Sequence, residues 1–256
     1  MRLTWLDSNS WIIDLAGQKI LLDPWLVGSL TFGNQTWLFE GKRRQPLPLP
    51  TDIDLILLSQ GLEDHAHPPT LKELNQSWPV VGSTQAARVV KDLGYTRVSA
   101  LKPGESHVQD NCFQIQALPG APTGPNQIEN AYLITDLTTN ERLYYEPHGY
   151  HASELADLDP VDTVLTPVLG ISLLGILPVL KGQDSALQAC RWLRPRFIVP
   201  TAGAAEIEYS GLLTKVLRLD GSLADFQRRL QEAGLTTQVL DPQVGQALDL
   251  SAPSLV

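Results

Sequence analysis

The stretch Leu55–Pro69, "LILLSQGLEDHAHPP", runs from aliphatic residues into an acid pair, two histidines and two prolines. With Ile53 and Asp54 ahead of it, the aliphatic run reads as a strand buried on both faces, as in a parallel sheet. The prolines suit the first turn of a helix, where a missing N–H costs nothing. Glu63, Asp64, His65 and His67 therefore sit on a strand-to-helix loop, where a fixed strand end positions side chains well. Carboxylates and imidazoles are zinc ligands, so the loop has a metal reading. It also has a plainer one: an Asp-His pair ahead of a helix caps its N-terminus.

Downstream, "PVVGS" reads as a strand and "TQAARVVKDLG" as a helix, with Thr84 as N-cap and Gly94 as C-cap. Ile53 to Gly94 thus runs strand, loop, helix, strand, helix, the pattern of a parallel sheet. Upstream, "LTWL", "SWIIDL" and "KILLDPWL" read as three strands. Residues 27–52 are rich in Gly, Pro and Thr and read as a long loop anchored by Trp37 and Phe39. After Gly94, "SALKPGESHVQD", "CFQIQAL", "NAYLITDL" and "RLYYEP" predict an antiparallel meander. "DTVLTPV" is again a buried strand, "DSALQACRWLRP" a helix and "RFIVPTA" a strand. "GSLADFQRRLQEAGL" predicts an amphipathic helix capped by Ser222, and "TTQVL" and "ALDL" closing strands. The shared strand–helix–strand rhythm of the two halves predicts a pseudo-symmetric α/β sandwich, one domain over residues 1–256.

The chain has 256 residues, 43% hydrophobic, enough for a sizeable core. Its net charge of −9 argues against nucleic acid as a partner, which needs a basic face. The basic clusters in "GKRRQP" and "RRLQEAGL" read as solvated faces. Cys112 and Cys190 are far apart and fit a reducing compartment. "MRLTWLDSNS" shows no signal-peptide pattern and no apolar run reaches transmembrane length, so the expected location is cytoplasmic. There is no Gly-rich phosphate loop and no Gly-x-Ser-x-Gly elbow.

In chain order, "MRLTWLDSNSWIIDLAGQKILLDPWL", "LILLSQGLEDHAH", "LYYEPHG" and "RPRFIVPTAG" resemble the metallo-β-lactamase-fold hydrolases. The closest likeness is to the branch that includes the L-ascorbate-6-phosphate lactonases. "LEDHAH" with "YYEPHG" also resembles a divergent branch of this fold from cyanobacteria and plastids. The resemblance covers most of the chain and implies an αβ/βα four-layer sandwich. The family's His-x-His-x-Asp-His motif falls on Gln60, Leu62, Asp64 and His65. Its next histidine falls near Gly120 or Ala121, its bridging aspartate on His148, and its last histidine on Ala202. The resemblance therefore implies that the first metal position has lost its three histidines. The second keeps Asp64 and His65 and gains His148. These three, with His67, Glu146 or Glu63 as a fourth, are the candidate ligands of one Zn or similar divalent ion. A two-metal clamp is not expected.

Two functional expectations stand side by side. One is a mononuclear metal-dependent hydrolase acting on an ester, lactone or related bond of a small-molecule substrate. Asp64, His148 and Glu146 are its catalytic candidates, and Glu146, Glu63 or His67 would relay the proton. The other is a non-catalytic descendant, without metal, whose pocket binds a small apolar ligand or a protein partner. Glu146 and His148 also read as solvated residues of a Pro-Gly turn, and His67 as a polar residue before Pro68. His151 reads as an N-terminal helix residue and His107 as an exposed loop residue. Asp23, in "LLDP", either holds its turn or supports the site from behind. "PVLGISLLGILPVLKG", residues 167–182, is too short and too rich in Gly and Pro for a membrane span. It reads as an apolar wall or lid at the site, or as core or a homodimer contact, the second being the expectation. Trp25, Leu26, Trp37, Leu38 and Phe39 read as an exposed extension of that apolar rim.

Overall fold

Leu55–Leu58 is buried at all four positions, as its unbroken aliphatic run requires. The reason is visible in the computed structural model, which describes residues 1–124 and 127–250; residues 251–256 of the expected domain lie outside it. Successive side chains of a strand point to opposite faces. Leu55 and Leu57 enter one apolar cluster and Ile56 and Leu58 another. A strand covered on both sides has no polar face to offer.

Among the described residues the strand lies inside a seven-stranded sheet. Its order is Ala247–Asp249, Arg2–Trp5, Trp11–Leu15, Gln18–Leu22, Leu55–Leu58, Val80–Ser83, Val98–Leu101. The first half pairs antiparallel, while Leu55–Leu58 runs parallel to both its neighbours. A second seven-stranded sheet is ordered Gln238–Val239, Phe197–Pro200, Thr163–Thr166, Arg142–Tyr145, Gln127–Asp136, Phe113–Gly124, Ser106–Gln109. It carries the predicted meander from Ser106 onward, followed by parallel strands; the start of "SALKPGESHVQD" instead lies in Val98–Leu101, which runs parallel to Val80–Ser83 at the edge of the first sheet.

The sheets pack face to face through Trp11, Ile13, Ile20 and Leu57 on one side and Phe113, Tyr132, Ile134 and Tyr145 on the other. Helices α1 (Pro68–Glu73) and α2 (Thr84–Asp92) cover the outside of the first sheet with Leu71, Ala86 and Val90. Helices α3 (Gln183–Leu193) and α4 (Leu223–Glu232) cover the second with Leu187, Cys190, Leu193, Phe226 and Leu230. The result is the expected αβ/βα four-layer sandwich. Each fully buried leucine or phenylalanine in these layers stabilises by about 1.5–3 kcal/mol. The α2 cap is Ser83, one residue before the expected Thr84: its Oγ accepts from Ala86 N at 3.3 Å. Gly94, just past the last turn, takes φ 101°, which favours glycine.

Three expectations need correcting. The 27–52 segment is not all loop, since Leu30–Thr31 pairs with Glu40–Arg43, which pairs with Ile207–Ser210. "EGKR" gives no apolar alternation, so its pairing with a distant strand was invisible. Trp25 and Leu26 are buried, not an exposed rim; Trp25 packs with Leu30 and Ile207, while Trp37 is 65% exposed. The 167–182 segment is core only at Pro167 and Val168. Gly170–Leu173 and Leu177–Leu180 form a hairpin joined by Leu217–Asp220 in a small separate sheet. That sheet lies outside the two large ones, so neither of its faces is covered like theirs, and Ile176 is left 85% exposed. Among the described residues no helix is long and apolar enough to cross a membrane.

Candidate metal centre

Two strand ends deliver the site, one from each large sheet. Leu55–Leu58 runs into Ser59 and Gln60, then into a tight turn in which Leu62 O accepts from His65 N (3.0 Å) and Ala66 N (2.8 Å). This turn carries Asp64 and His65. In the other sheet Arg142–Tyr145 runs into Glu146 and the turn that carries His148. One ligand atom from each of Asp64, His65 and His148 lies within 4.8 Å of the other two. The rings of His65 and His148 are 5.1 Å apart, centre to centre.

His65 is fixed from behind. Its Nδ1 lies 2.7 Å from Asp23 Oδ2, and its Nε2 lies 3.2 Å from Asp64 Oδ2. Asp23 is itself fully buried and accepts from Ser59 N (2.7 Å), Ser59 Oγ and Tyr145 Oη (2.6 Å). A carboxylate on the remote nitrogen of a histidine sets its tautomer and leaves the near nitrogen for an ion. Burial opposes charge on His65, but Asp64 and Asp23 outweigh it and hold the imidazole up at about 10. Burial likewise opposes charge on Asp64, yet His65 wins and draws its carboxyl down to about 2. A proton on His65 thus sits where an ion would, and metal binding must release it.

Glu146 lies beneath the second turn. Its Oε2 accepts from His148 N (3.0 Å) and Tyr150 N (2.7 Å), so it shapes the turn that presents His148. Burial pushes its carboxyl up to about 8 against those amides. The structure does not bring Glu63, Glu146 or His67 into the three-residue group. His67 faces elsewhere. It caps α1, with Nδ1 3.0 Å from Thr70 Oγ1 and Nε2 3.2 Å from Ser29 O. Both ring nitrogens are engaged, which is why His67 makes a poor ligand. His107 lies in the strand Ser106–Gln109, not in a loop. His151 precedes a short 3-10 turn and its Nδ1 meets Tyr144 Oη at 3.1 Å.

The family's missing ligand positions are closed in different ways. Leu62 is exposed. A Cβ on Gly120 would meet the backbone of the next strand, 2.8 Å from Ala131 N and 2.9 Å from Asn130 C. Ala202 stands at φ 59° beside the bridge joining Ser8 and Gly203. Gln60 is buried, with Nε2 3.1 Å from His148 Nδ1.

The donor set fits one ion. Asp64 Oδ1 is buried without a partner, and His65 Nε2 has only its 3.2 Å approach to Asp64 Oδ2; such groups are costly unless something fills the gap beside them. Two nitrogens and a carboxylate with a fourth side open suit a catalytic zinc-like ion. Asp64 keeps 22% of its side chain exposed, while its Oδ1 is buried.

Three histidines set the acid limit of the metal-free protein. Burial lowers His67 and His148 to about 4 and His151 to about 3; Arg43, His65 and Lys181 respectively push the same way. Unfolded, each titrates near 6.5. Their contribution is present above that pH and lost as pH falls through 6.5 toward 4. His65, raised to about 10, contributes below 6.5 and loses its contribution as pH rises toward 10. The melting temperature of chelator-treated protein should therefore peak near neutrality and fall on both sides. A plateau from pH 4 to 7 would show that these histidines are not held neutral.

A family model described as "Beta-lactamase superfamily domain" matches residues 2–202. The chain belongs to the metallo-β-lactamase superfamily. Solved structures of similar architecture include Igni18, a metallo hydrolase from Ignicoccus hospitalis. It shares 15% identity, covers 97% of this chain and 98% of its own, and has a TM-score of 0.66. An isothiocyanate hydrolase from Delia radicum gut bacteria matches at 15% identity, 97% and 98% coverage and a TM-score of 0.69. The metallo-β-lactamase fold protein YhfI from Bacillus subtilis matches at 13% identity, 97% and 99% coverage and a TM-score of 0.61. At such identities the likeness concerns the fold. No curated protein matches the chain in sequence.

Proposed function

We propose that this superfamily member is a mononuclear metal-dependent hydrolase of a small-molecule ester, lactone or related bond, working in the cytoplasm. The observation that carries the reading is the convergence of Asp64, His65 and His148, with Asp64 Oδ1 buried without a partner and His65 Nε2 engaged only by Asp64 Oδ2 at 3.2 Å. Asp64, His65 and His148 would hold the ion, with zinc as the first candidate. When bound, a divalent ion supplies Lewis acidity and lowers the pKa of a water molecule beside it. Asp23 keeps the His65 ring in place through Nδ1. Asp64 Oδ1, ionised at neutral pH and free of protein donors, takes a proton from the attacking water. Glu146 holds the turn of His148 through its amide bonds and, near neutral pH, retains a proton it can give. The resemblance of the four sequence motifs to the lactonase branch makes a cyclic ester the first substrate to try.

One observation favours the non-catalytic reading. Without an ion, His65 is already neutralised by Asp23 and Asp64, so the cluster is electrostatically complete. Elemental analysis separates the two. Protein purified without added metal should carry close to one divalent ion per chain, and His65→Ala and His148→Ala should reduce this to background. Folded wild-type protein that carries no metal and takes up none from a zinc titration sinks the hydrolase reading.

A further inference from the structure

Gln60 stands at the first histidine position of the family motif, yet it has not left the site. Its side chain is buried, its Nε2 lies 3.1 Å from His148 Nδ1, and its Oε1 has no partner. A buried carbonyl without a donor costs about 1–3 kcal/mol. That cost falls on the same amide that touches a candidate ligand.

An amide NH2 can only donate, so in this rotamer His148 Nδ1 must accept, and the neutral ring carries its proton on Nε2. That tautomer offers no lone pair at Nε2 to an ion. A half-turn of the amide exchanges its oxygen and nitrogen with little change of shape. Oε1 then accepts from Nδ1–H, and the Nε2 lone pair of His148 is released. The carbonyl gains a partner in the same movement. The displaced NH2 takes the place of the unpartnered oxygen.

We propose that Gln60 is the positioning residue that admits the ion: its amide turns over on loading, Oε1 fixes the metal-binding tautomer of His148, and the freed NH2 donates to the substrate's carbonyl oxygen. Where the family motif supplies a ligand for a first ion, this chain supplies a hydrogen-bond donor. The substrate class that uses such a donor is a carboxylic ester or lactone, whose carbonyl oxygen gains negative charge as water adds. The proposal rests on the metal reading above.

The test is a zinc titration of wild type, Gln60→Leu and Gln60→Glu, with the His148 tautomer followed by nitrogen NMR of labelled histidine. In wild type, zinc should move the His148 proton from Nε2 to Nδ1. Gln60→Leu removes the acceptor and should weaken zinc binding roughly 10- to 100-fold. Gln60→Glu keeps an acceptor and loses the donor. It should hold zinc about as well as wild type while its kcat on p-nitrophenyl acetate falls about 100-fold, with little change in KM. A leucine variant that binds zinc like wild type overturns the proposal and leaves the metal reading standing. Should that variant not fold, weakened zinc binding by Gln60→Glu overturns it instead. Unchanged kcat in Gln60→Glu, or a wild type inert toward the ester, overturns the donor role. A wild type that takes up no zinc overturns the metal reading and this proposal together.

Discussion

Asp23→Ala should destabilise the protein by about 3–5 kcal/mol, a large share of the 5–15 kcal/mol that holds a domain folded. Asp23 is fully buried and serves four donors: Ser59 N, Ser59 Oγ, His65 Nδ1 and Tyr145 Oη. Alanine accepts from none of them and leaves each without its bond in a dry interior. The loss also reaches beyond one element. Ser59 follows a strand of the first sheet, whereas Tyr145 ends a strand of the second. Urea denaturation reads the effect directly, and a loss under about 1 kcal/mol would show that water replaces the carboxylate. Asp23→Asn keeps the volume and one acceptor oxygen, so it should unfold less readily than alanine. Its zinc affinity should still drop about 10- to 100-fold, because it no longer anchors His65 as a carboxylate does.

Gly120→Ala should cost about 1–3 kcal/mol or more, although it adds one methyl group. The neighbours of that methyl are the peptide atoms Ala131 N, Asn130 C and Glu129 O, at 2.8, 2.9 and 3.0 Å. Backbone in a paired strand cannot turn aside as a flexible side chain can. Gly120→His, which puts a histidine at one of the two positions, Gly120 or Ala121, on which the family motif falls, should therefore lose stability and gain no second ion. Thermal melts and metal stoichiometry of the two variants check both halves. A stable histidine variant carrying two ions per chain would refute the account of why the first metal position was lost.

The fold was legible because its strongest signals are local. Leu55–Leu58 announces a doubly covered strand by its own composition, and Ser222 announces the start of α4 because a cap acts within three residues. Asp64 and His65 were legible from the same loop, and His148 through the family resemblance. What escaped notice was long-range. The partners of Asp23 lie 36, 42 and 122 residues away, and Gln60 meets a residue 88 positions on. "LLDP" shows a turn but cannot show which donors fold around it. Residues 170–180 do not enter the core, because hydrophobicity indicates what prefers burial, not whether a layer is there to cover it. Trp25 was misread in the opposite sense: a strand from residues 207–210 closes over a segment that looks bare in sequence.

Asp64 and His65 belong to one sheet's strand end, and His148 to the other's. The site is thus a rivet hole drilled through the seam between the two halves of the molecule. Gripping an ion and clamping the halves together are one act. At a hundredfold excess over its Kd such an ion adds about 2.7 kcal/mol to the folded state. Chelation should then loosen the seam before it melts the rest, and hydrogen exchange would record the loosening first at the strand ends around Ser59 and Tyr145.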